Sequence, residues 1–357
     1  MLRTGGGVFE EIKDQPRLWK STLDGLAARR QELQGWLRSE NFGQVLFLGS
    51  GASYGAALSA ASITQLVSGL NTVAISSSEI LFLRRPPYDS RIKTLVVALS
   101  RKGDERDNLW AVQKLKKIHT TCKVLMISGA AGELGALSDQ KILLDDAVEM
   151  GQISTRCAST LLLCCMVLCA WLSAKDVFLN EIARLPGALN YQNLQDQIKR
   201  LSMPRPLPQH ITFLGSGPYV GAACDGSLKM REMAAIGSEY QSTLEYRHGS
   251  HGWLTNQSMV VVLLSDTFKP AELQTVSHLG VTRAPRVLIA DNLDDQARMR
   301  VDFTVELQAG VSEVSRVLLM YPALQLLGFY MALAKGKSAD KPKHLEHVIE
   351  LKDRPGV

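Results

Sequence analysis

The chain has 357 residues, 46% of them hydrophobic and 21% charged, so it can bury a sizeable core and lacks the composition of a disordered chain. Forty basic and 35 acidic residues give a formal net charge of +5, and the basic ones are spread out instead of forming a stripe among aromatics, which argues against nucleic-acid binding. The length exceeds what one hydrophobic core usually supports, so two domains are favoured.

Six cysteines, Cys122, Cys157, Cys164, Cys165, Cys169 and Cys224, show no CxxC pair and no Cys/His metal spacing. That pattern reads as small buried thiols in a reducing cytoplasm, with no metal implied. The first 16 residues lack the apolar centre of a signal peptide.

In chain order, residues 8–40 carry apolar positions at helical spacing interrupted by Pro16, predicting one or two amphipathic helices. Short β-rich runs then alternate with helical stretches. The runs are VLFLG (45–49), TVAIS (72–76), KTLVVALS (93–100), KVLMIS (123–128) and KILLDD (141–146). After a helical connector that ends in the Pro-rich stretch before His210, the order repeats: HITFLG (210–215), a helix through Ile236, MVVVLLS (259–265), RVLIAD (286–291) and FTVEL (303–307). Continuous apolar strands alternating with helices predict an α/β fold with parallel sheets covered on both faces. The predicted organisation is N-terminal helices at 1–40, a first domain at 41–180, the connector at 181–209, a second domain at 210–335 and a tail at 336–357.

Two uncharged runs, Cys157 to Ala174 and Val317 to Ala334, reach the lower edge of membrane-spanning length. Both contain polar residues or proline, and each closes its half of the chain, so they read as equivalent core helices and no membrane partner is expected.

The segment FLGSG occurs twice, at 47–51 and 213–217, each time after an apolar run and before a small-residue stretch that can start a helix. Ligands of doubly wound sheets gather at this edge, but neither copy fits a dinucleotide or P-loop fingerprint. Three further clusters fall at strand or helix ends. Ser100-Arg101-Lys102-Gly103 comes directly after a strand, where Ser100 and free amides would cradle an anion beside the Lys102 charge; a capped helix with solvated charges explains it equally well. Ser154-Thr155-Arg156 leads into the first buried run, as ligand contacts or as a plain N-cap. Asp225, Lys229 and Glu232 share one helical face, as an ion-paired surface or as a reactive group. Beyond them lies the polar loop Glu245 to Gly252, with His248 and His251. A carboxylate and a histidine suffice to move protons between adjacent carbons and to open a hemiacetal ring.

On these residues the chain resembles the sugar isomerase (SIS) family: tandem-SIS isomerases of the glucosamine-6-phosphate synthase type and the fructosamine-6-phosphate deglycases. The likeness runs from about residue 40 to the C-terminus through GASYG (51–55), the Ser100 to Gly103 loop, Ser154-Thr155-Arg156, LKMRE (228–232), RHG (247–249) and ALAKGKSADKPKHL (332–345). The resemblance implies two flavodoxin-like, doubly wound domains in tandem and a cofactor-free enzyme working as a homodimer. It implies that Ser53 and Ser100 contact the substrate's phosphate, that Gly51, Ala52, Arg101 and Lys102 also belong to the substrate-binding residues, and that Ser154 and Thr155 line the sugar site. Glu232 corresponds to the family's base, His248 to its ring-opening histidine, and Lys229 and Asp225 to positions that tune the base. His347 stands where the synthases have a tail lysine.

The chain departs from the family in the phosphate loop. Lys102 and Glu105 occupy positions where the family has Ser and Thr, and Glu105 would repel a phosphate unless it turned away or paired with Arg101 or Arg106. No glutaminase segment precedes the first helices, which disfavours glucosamine-6-phosphate synthesis from glutamine. The expected activity is deglycation of a 6-phosphofructosamine. An amino-sugar-phosphate isomerase or deaminase, or a sensor that binds sugar phosphate without turnover, are the alternatives.

Overall fold

The computed structural model describes residues 6–85, 88–203, 206–345, 349 and 351. In chain order the elements are α1 (Gly6–Lys13), α2 (Gln15–Ala28), α3 (Arg30–Glu40), β1 (Gln44–Gly49), α4 (Ala52–Ser68), β2 (Asn71–Ser76), α5 (Ser77–Ile80), β3 (Thr94–Ser100), α6 (Arg106–Ile118), β4 (Lys123–Ser128), β5 (Gln140–Leu143), α7 (Arg156–Ser173), α8 (Asp176–Ala188) and α9 (Tyr191–Leu201). The second half of the chain supplies β6 (His210–Gly215), α10 (Tyr219–Lys229), β7 (Gly237–Ser242), α11 (Thr243–Tyr246), β8 (Ser258–Leu263), α12 (Lys269–His278), β9 (Arg286–Ala290), α13 (Asp295–Arg298), β10 (Phe303–Glu306) and α14 (Glu313–Ala334).

The strands form two five-stranded sheets, every described pair parallel, in the orders β2-β1-β3-β4-β5 and β7-β6-β8-β9-β10. Read from β2 and from β7, the two orders are the same. Each sheet lies in its own compact unit. One unit gathers Gln15–Glu149 and Arg156–Ala183; the other gathers α1, Met150–Thr155 and the described chain from Arg184 to Leu345.

In the first unit, Leu46, Leu48, Val96, Ala98, Val124 and Met126 point to one face and pack on Leu109, Val112 and Leu115 of α6. Alternation turns Phe47, Val97 and Ile127 to the other face, which α4 and α7 cover. Burying α7 on all sides removes its leucines from water, and each contributes about 1.5–3 kcal/mol. In the second unit, Leu214, Val260, Val262 and Leu288 pack on Leu273, Val276 and Leu279, from α12 and the turn after it, while α10 and α14 pack together.

Helices α7 and α14 are long and apolar enough to cross a membrane, yet 83% of each 18-residue apolar window is buried inside the protein. They are core helices here, as the sequence predicts. All six cysteines are free and buried, and burial pushes the thiols up, Cys122 to about 11 and Cys169 to about 12.

Two departures from the sequence expectations concern the second sheet. β7, with the sequence GSEYQS, is a strand that the apolar pattern does not predict: it is an edge strand with five of its six residues not fully buried, so no apolar run marks it. The helix expected to run through Ile236 ends as an α-helix at Lys229 and continues as one π turn over Met230–Ala234.

Candidate active site

At the carboxyl edge of the first sheet, β1 ends in Gly49, where a Cβ would come within 2.6 Å of the Ser53 carbonyl. Only glycine lets α4 start this close to the strand, and Gly51 turns the chain at φ 55°. Ala52 and Ser53 are each 8% exposed in the first turn of α4. The Ser50 hydroxyl beside them is buried without a hydrogen-bond partner among the described residues.

β3 lies next to β1 and ends in Ser100, which is 1% exposed. Its hydroxyl accepts from the Gly103 N–H at 2.6 Å and donates to the Glu105 carboxylate. The Arg101 and Lys102 amides both donate to Glu105 Oε1 at 3.2 Å. Glu105 therefore does not turn away, as a free phosphate loop requires; it fills the cradle from within. Arg101 is engaged elsewhere, its Nε 2.8 Å from Glu149 Oε2. The same Glu149 carboxylate accepts the Cys157 N–H at 2.8 Å in the first turn of α7. Lys102 is exposed. Gly103 holds the loop in place: its φ is 78°, and a Cβ there would meet the Ala130 and Ala131 carbonyl oxygens within 2.8 Å.

In the second unit the charged cluster forms where α10 gives way to the π turn. Lys229 Nζ donates to Glu232 Oε2 at 2.6 Å and lies 3.9 Å from Asp225 Oδ1. The side chains of Lys229 and Asp225 are fully buried, while that of Glu232 is 18% exposed. The expected single α-helical face is thus corrected: Asp225 and Lys229 sit on the α-helix, and Glu232 is presented by the wider turn, a feature common at functional sites. The turn is fitted closely against α14, because a Cβ on Gly328 would come within 3.2 Å of the Lys229 carbonyl oxygen and the Met233 sulfur.

Gln325 of α14, which the sequence does not single out, connects two of the predicted residues. It is fully buried, and its Nε2 donates to the Thr155 carbonyl at 3.1 Å and reaches Asp225 Oδ2 at 3.5 Å. A lone amide in the run VLLMYPALQLLGFYMALA is the signal that marks it, since a buried amide must find partners. Ser154 is half-buried and Thr155 fully buried.

His248 is exposed and lies after α11, lining a groove of about 330 Å³ with Arg247, His251, Gln274, Thr275, His278 and Leu279. No hydrogen bond or ion pair among the described residues joins it to Glu232. His347 lies outside the described residues. Among the described residues no group of three or more His, Cys, Asp or Glu is placed to hold a metal ion.

No family model matches the chain. It is 25% identical over 351 residues to the glutamine–fructose-6-phosphate aminotransferase [isomerizing] of Thermococcus kodakarensis, covering 95% of this chain and 57% of that protein. The corresponding protein of Methanothermobacter thermautotrophicus is 26% identical, with 96% and 57% covered. The chain thus spans little more than half the length of these curated relatives. Among solved structures, a glucosamine-6-phosphate deaminase of Thermotoga maritima superposes with a TM-score of 0.77 at 25% identity, covering 95% of this chain and 98% of that one. The tagatose-6-phosphate ketose/aldose isomerase of Escherichia coli shares the fold, with a TM-score of 0.83 at 21% identity over 97% and 98% of the two chains. The chain is homologous to part of glutamine–fructose-6-phosphate aminotransferase and has the α/β fold, with two parallel five-stranded sheets, of the SIS phosphosugar isomerases.

Proposed function

We propose that the two sheets are a duplicated SIS unit and that the protein is a cytoplasmic, cofactor-free enzyme that shifts a proton between C1 and C2 of a sugar derivative. The observation that carries this reading is the Lys229–Glu232 pair at 2.6 Å, in which a buried ammonium orients a carboxylate that still reaches solvent. A base needs this combination of fixed geometry and access to substrate. Asp225, 3.9 Å from Lys229, adds a second negative charge beside the ammonium and keeps it in place.

The reaction proposed is deglycation of a 6-phosphofructosamine. Glu232 removes a proton from C1 of the open-chain ketose-amine, giving a 1,2-enaminol. Reprotonation at C2 gives the C1 imine, and water then releases the amine and glucose 6-phosphate. His248 opens the ring. Its exposure in the second unit suits a residue that serves the site of a neighbouring copy, so the working form is a homodimer. Ser154 and Thr155 line the sugar site, Thr155 being held to Gln325.

An isomerase or deaminase of an amino-sugar phosphate uses the same proton step, and the likeness to the Thermotoga maritima glucosamine-6-phosphate deaminase supports it as the alternative. The two are separated by supplying 6-phosphofructosamines, glucosamine 6-phosphate, and fructose 6-phosphate with ammonia, and following release of glucose 6-phosphate or ammonia. Glu232→Gln is expected to lower turnover on the active substrate by about 10²–10⁴-fold while binding persists. Unchanged turnover would remove Glu232 from the mechanism.

A further inference from the structure

At the carboxyl end of a doubly wound sheet, the crevice between the first and third strands of the chain is where ligands settle, because the connections on either side leave in opposite directions. β1 and β3 are those strands in the first unit. A loop that binds an external anion there offers a hydroxyl and two or more backbone N–H groups with no acceptor of their own. The Ser100 hydroxyl and the Arg101 and Lys102 amides are such a set, and all three already donate to Glu105.

We propose that Glu105 is a specificity-determining residue: a tethered carboxylate that occupies the anion cradle of this loop and selects against a phosphate there. The proposal deepens the reading of the protein as a sugar-converting enzyme, since it narrows what that substrate presents to the first sheet.

Two independent observations support it. The first is charge. A phosphate bound to Ser100 would lie against the Glu105 carboxylate, and the cation nearest in sequence, Arg101, is paired with Glu149. Lys102 and Arg106 are both exposed, Arg106 donating to the Leu351 carbonyl at 3.3 Å, so solvent screens what either offers against two adjacent anions. The second is the other sheet. Counting from Leu48 and Leu214, which pair with Ala98 and Val262, Arg101 and Ser265 hold the same place beyond their strands. The Ser265 N–H also donates to a carboxylate of the following helix, Glu272, at 2.8 Å. A carboxylate in this crevice is therefore a recurrent feature of the chain.

What remains open in the first crevice is an acceptor, the half-buried Glu105. That chemistry suits a neutral polyol end or an ammonium group. A phosphate on the substrate must then be held outside this cradle.

The test is phosphate binding, read without turnover so that its result is independent of the reaction proposed. Inorganic phosphate is titrated into the full chain while thermal stability and ³¹P line width are followed. Wild type is expected to show no saturable phosphate response that Ser100→Ala removes. Glu105→Thr, which restores the family's residue and remains a good N-cap, is expected to gain one that is tighter by about tenfold or more, because occupancy of the cradle by Glu105 divides the apparent affinity. Adding Ser100→Ala to Glu105→Thr is expected to abolish the gain and so locate it in the loop. Saturable phosphate binding by wild type that Ser100→Ala abolishes would overturn the proposal even if the threonine variant did not fold. A folded Glu105→Thr that binds phosphate no better than wild type would overturn it equally.

Discussion

The segment FLGSG folds in the same way at both of its positions, but the helices that it opens differ. In each copy the third residue, Gly49 or Gly215, admits the backbone of the next helix to within 2.6 to 2.7 Å of where a Cβ would stand. In each, the last glycine, Gly51 or Gly217, has a φ of 55°. Through the strand-to-helix passage the two turns are interchangeable. Carried forward at the same spacing, the helix positions of Asp225, Lys229 and Glu232 correspond to Ser59, Ile63 and Leu66. In the first copy these are a buried hydroxyl, a core side chain and an exposed leucine on a regular α-helix. In the second they are a buried ion-paired cluster ending in a π turn. A duplicated frame thus supplies position, and a few residues after the turn decide whether that position holds core or chemistry.

The two crevices differ in a similar way. Glu272 is fully buried and accepts from the Ser216 hydroxyl at 2.5 Å and from both the N–H and the hydroxyl of Ser265 at 2.8 Å. Glu105 is half-buried and its amide contacts are longer, at 3.2 Å. The first arrangement seals a scaffold, whereas the second meets solvent and can influence what binds.

The comparison breaks most severely if the charged cluster is no more than a surface-like salt bridge. Lys229→Met is expected to destabilise the protein by about 3–5 kcal/mol, since it leaves a buried carboxylate beside an apolar chain, and adding Asp225→Asn is expected to recover part of that loss. Ile63→Met, the matching exchange in the first copy, should cost less than about 1.5 kcal/mol. Urea unfolding of the three variants measures the contrast, and equal costs for Lys229→Met and Ile63→Met would erase the distinction between the helices.

A smaller difference separates the crevice carboxylates. Glu272→Ala strands three buried donors and is expected to cost about 3 kcal/mol or more, whereas Glu105→Ala should cost only about 1 kcal/mol because Glu105 is half-buried and water can take the place of its carboxylate. Thermal melts that ranked Glu105→Ala as the worse variant would reverse the assignment of scaffold and selector. The smallest effect belongs to the two serines of the repeat. Ser50→Ala is expected to lie within about 0.5 kcal/mol of wild type, since its hydroxyl has no partner among the described residues to lose, while Ser216→Ala should cost about 1–2 kcal/mol through Glu272.

Much of the fold was legible in the chain because buried parallel strands read as continuous apolar runs, and those of β1, β3, β4, β6, β8 and β9 fall within a residue or two of their expected bounds. β7 was not, because an edge strand half open to solvent needs no apolar run; only its spacing from the counterpart β2 could have revealed it. Of the candidate site, the grouping of Asp225, Lys229 and Glu232 was legible as helical periodicity. The π turn was not, because a shift from one hydrogen-bond register to the next depends on how closely Gly328 of α14 lets that turn approach. The role of Gln325 is equally invisible to local spacing, because its partners lie 100 and 170 residues away in the chain.

By itself, then, the sequence determined the α/β class, the repeated turn and the residue types present at each strand end, since these depend on local spacing and on which side chains water excludes. Which polar groups meet is set by the packing of distant segments. Ser100 with Glu105, Ser216 with Glu272, and Gln325 with Thr155 are pairings set by strand order and helix packing, and a buried donor takes the acceptor that the fold brings to it.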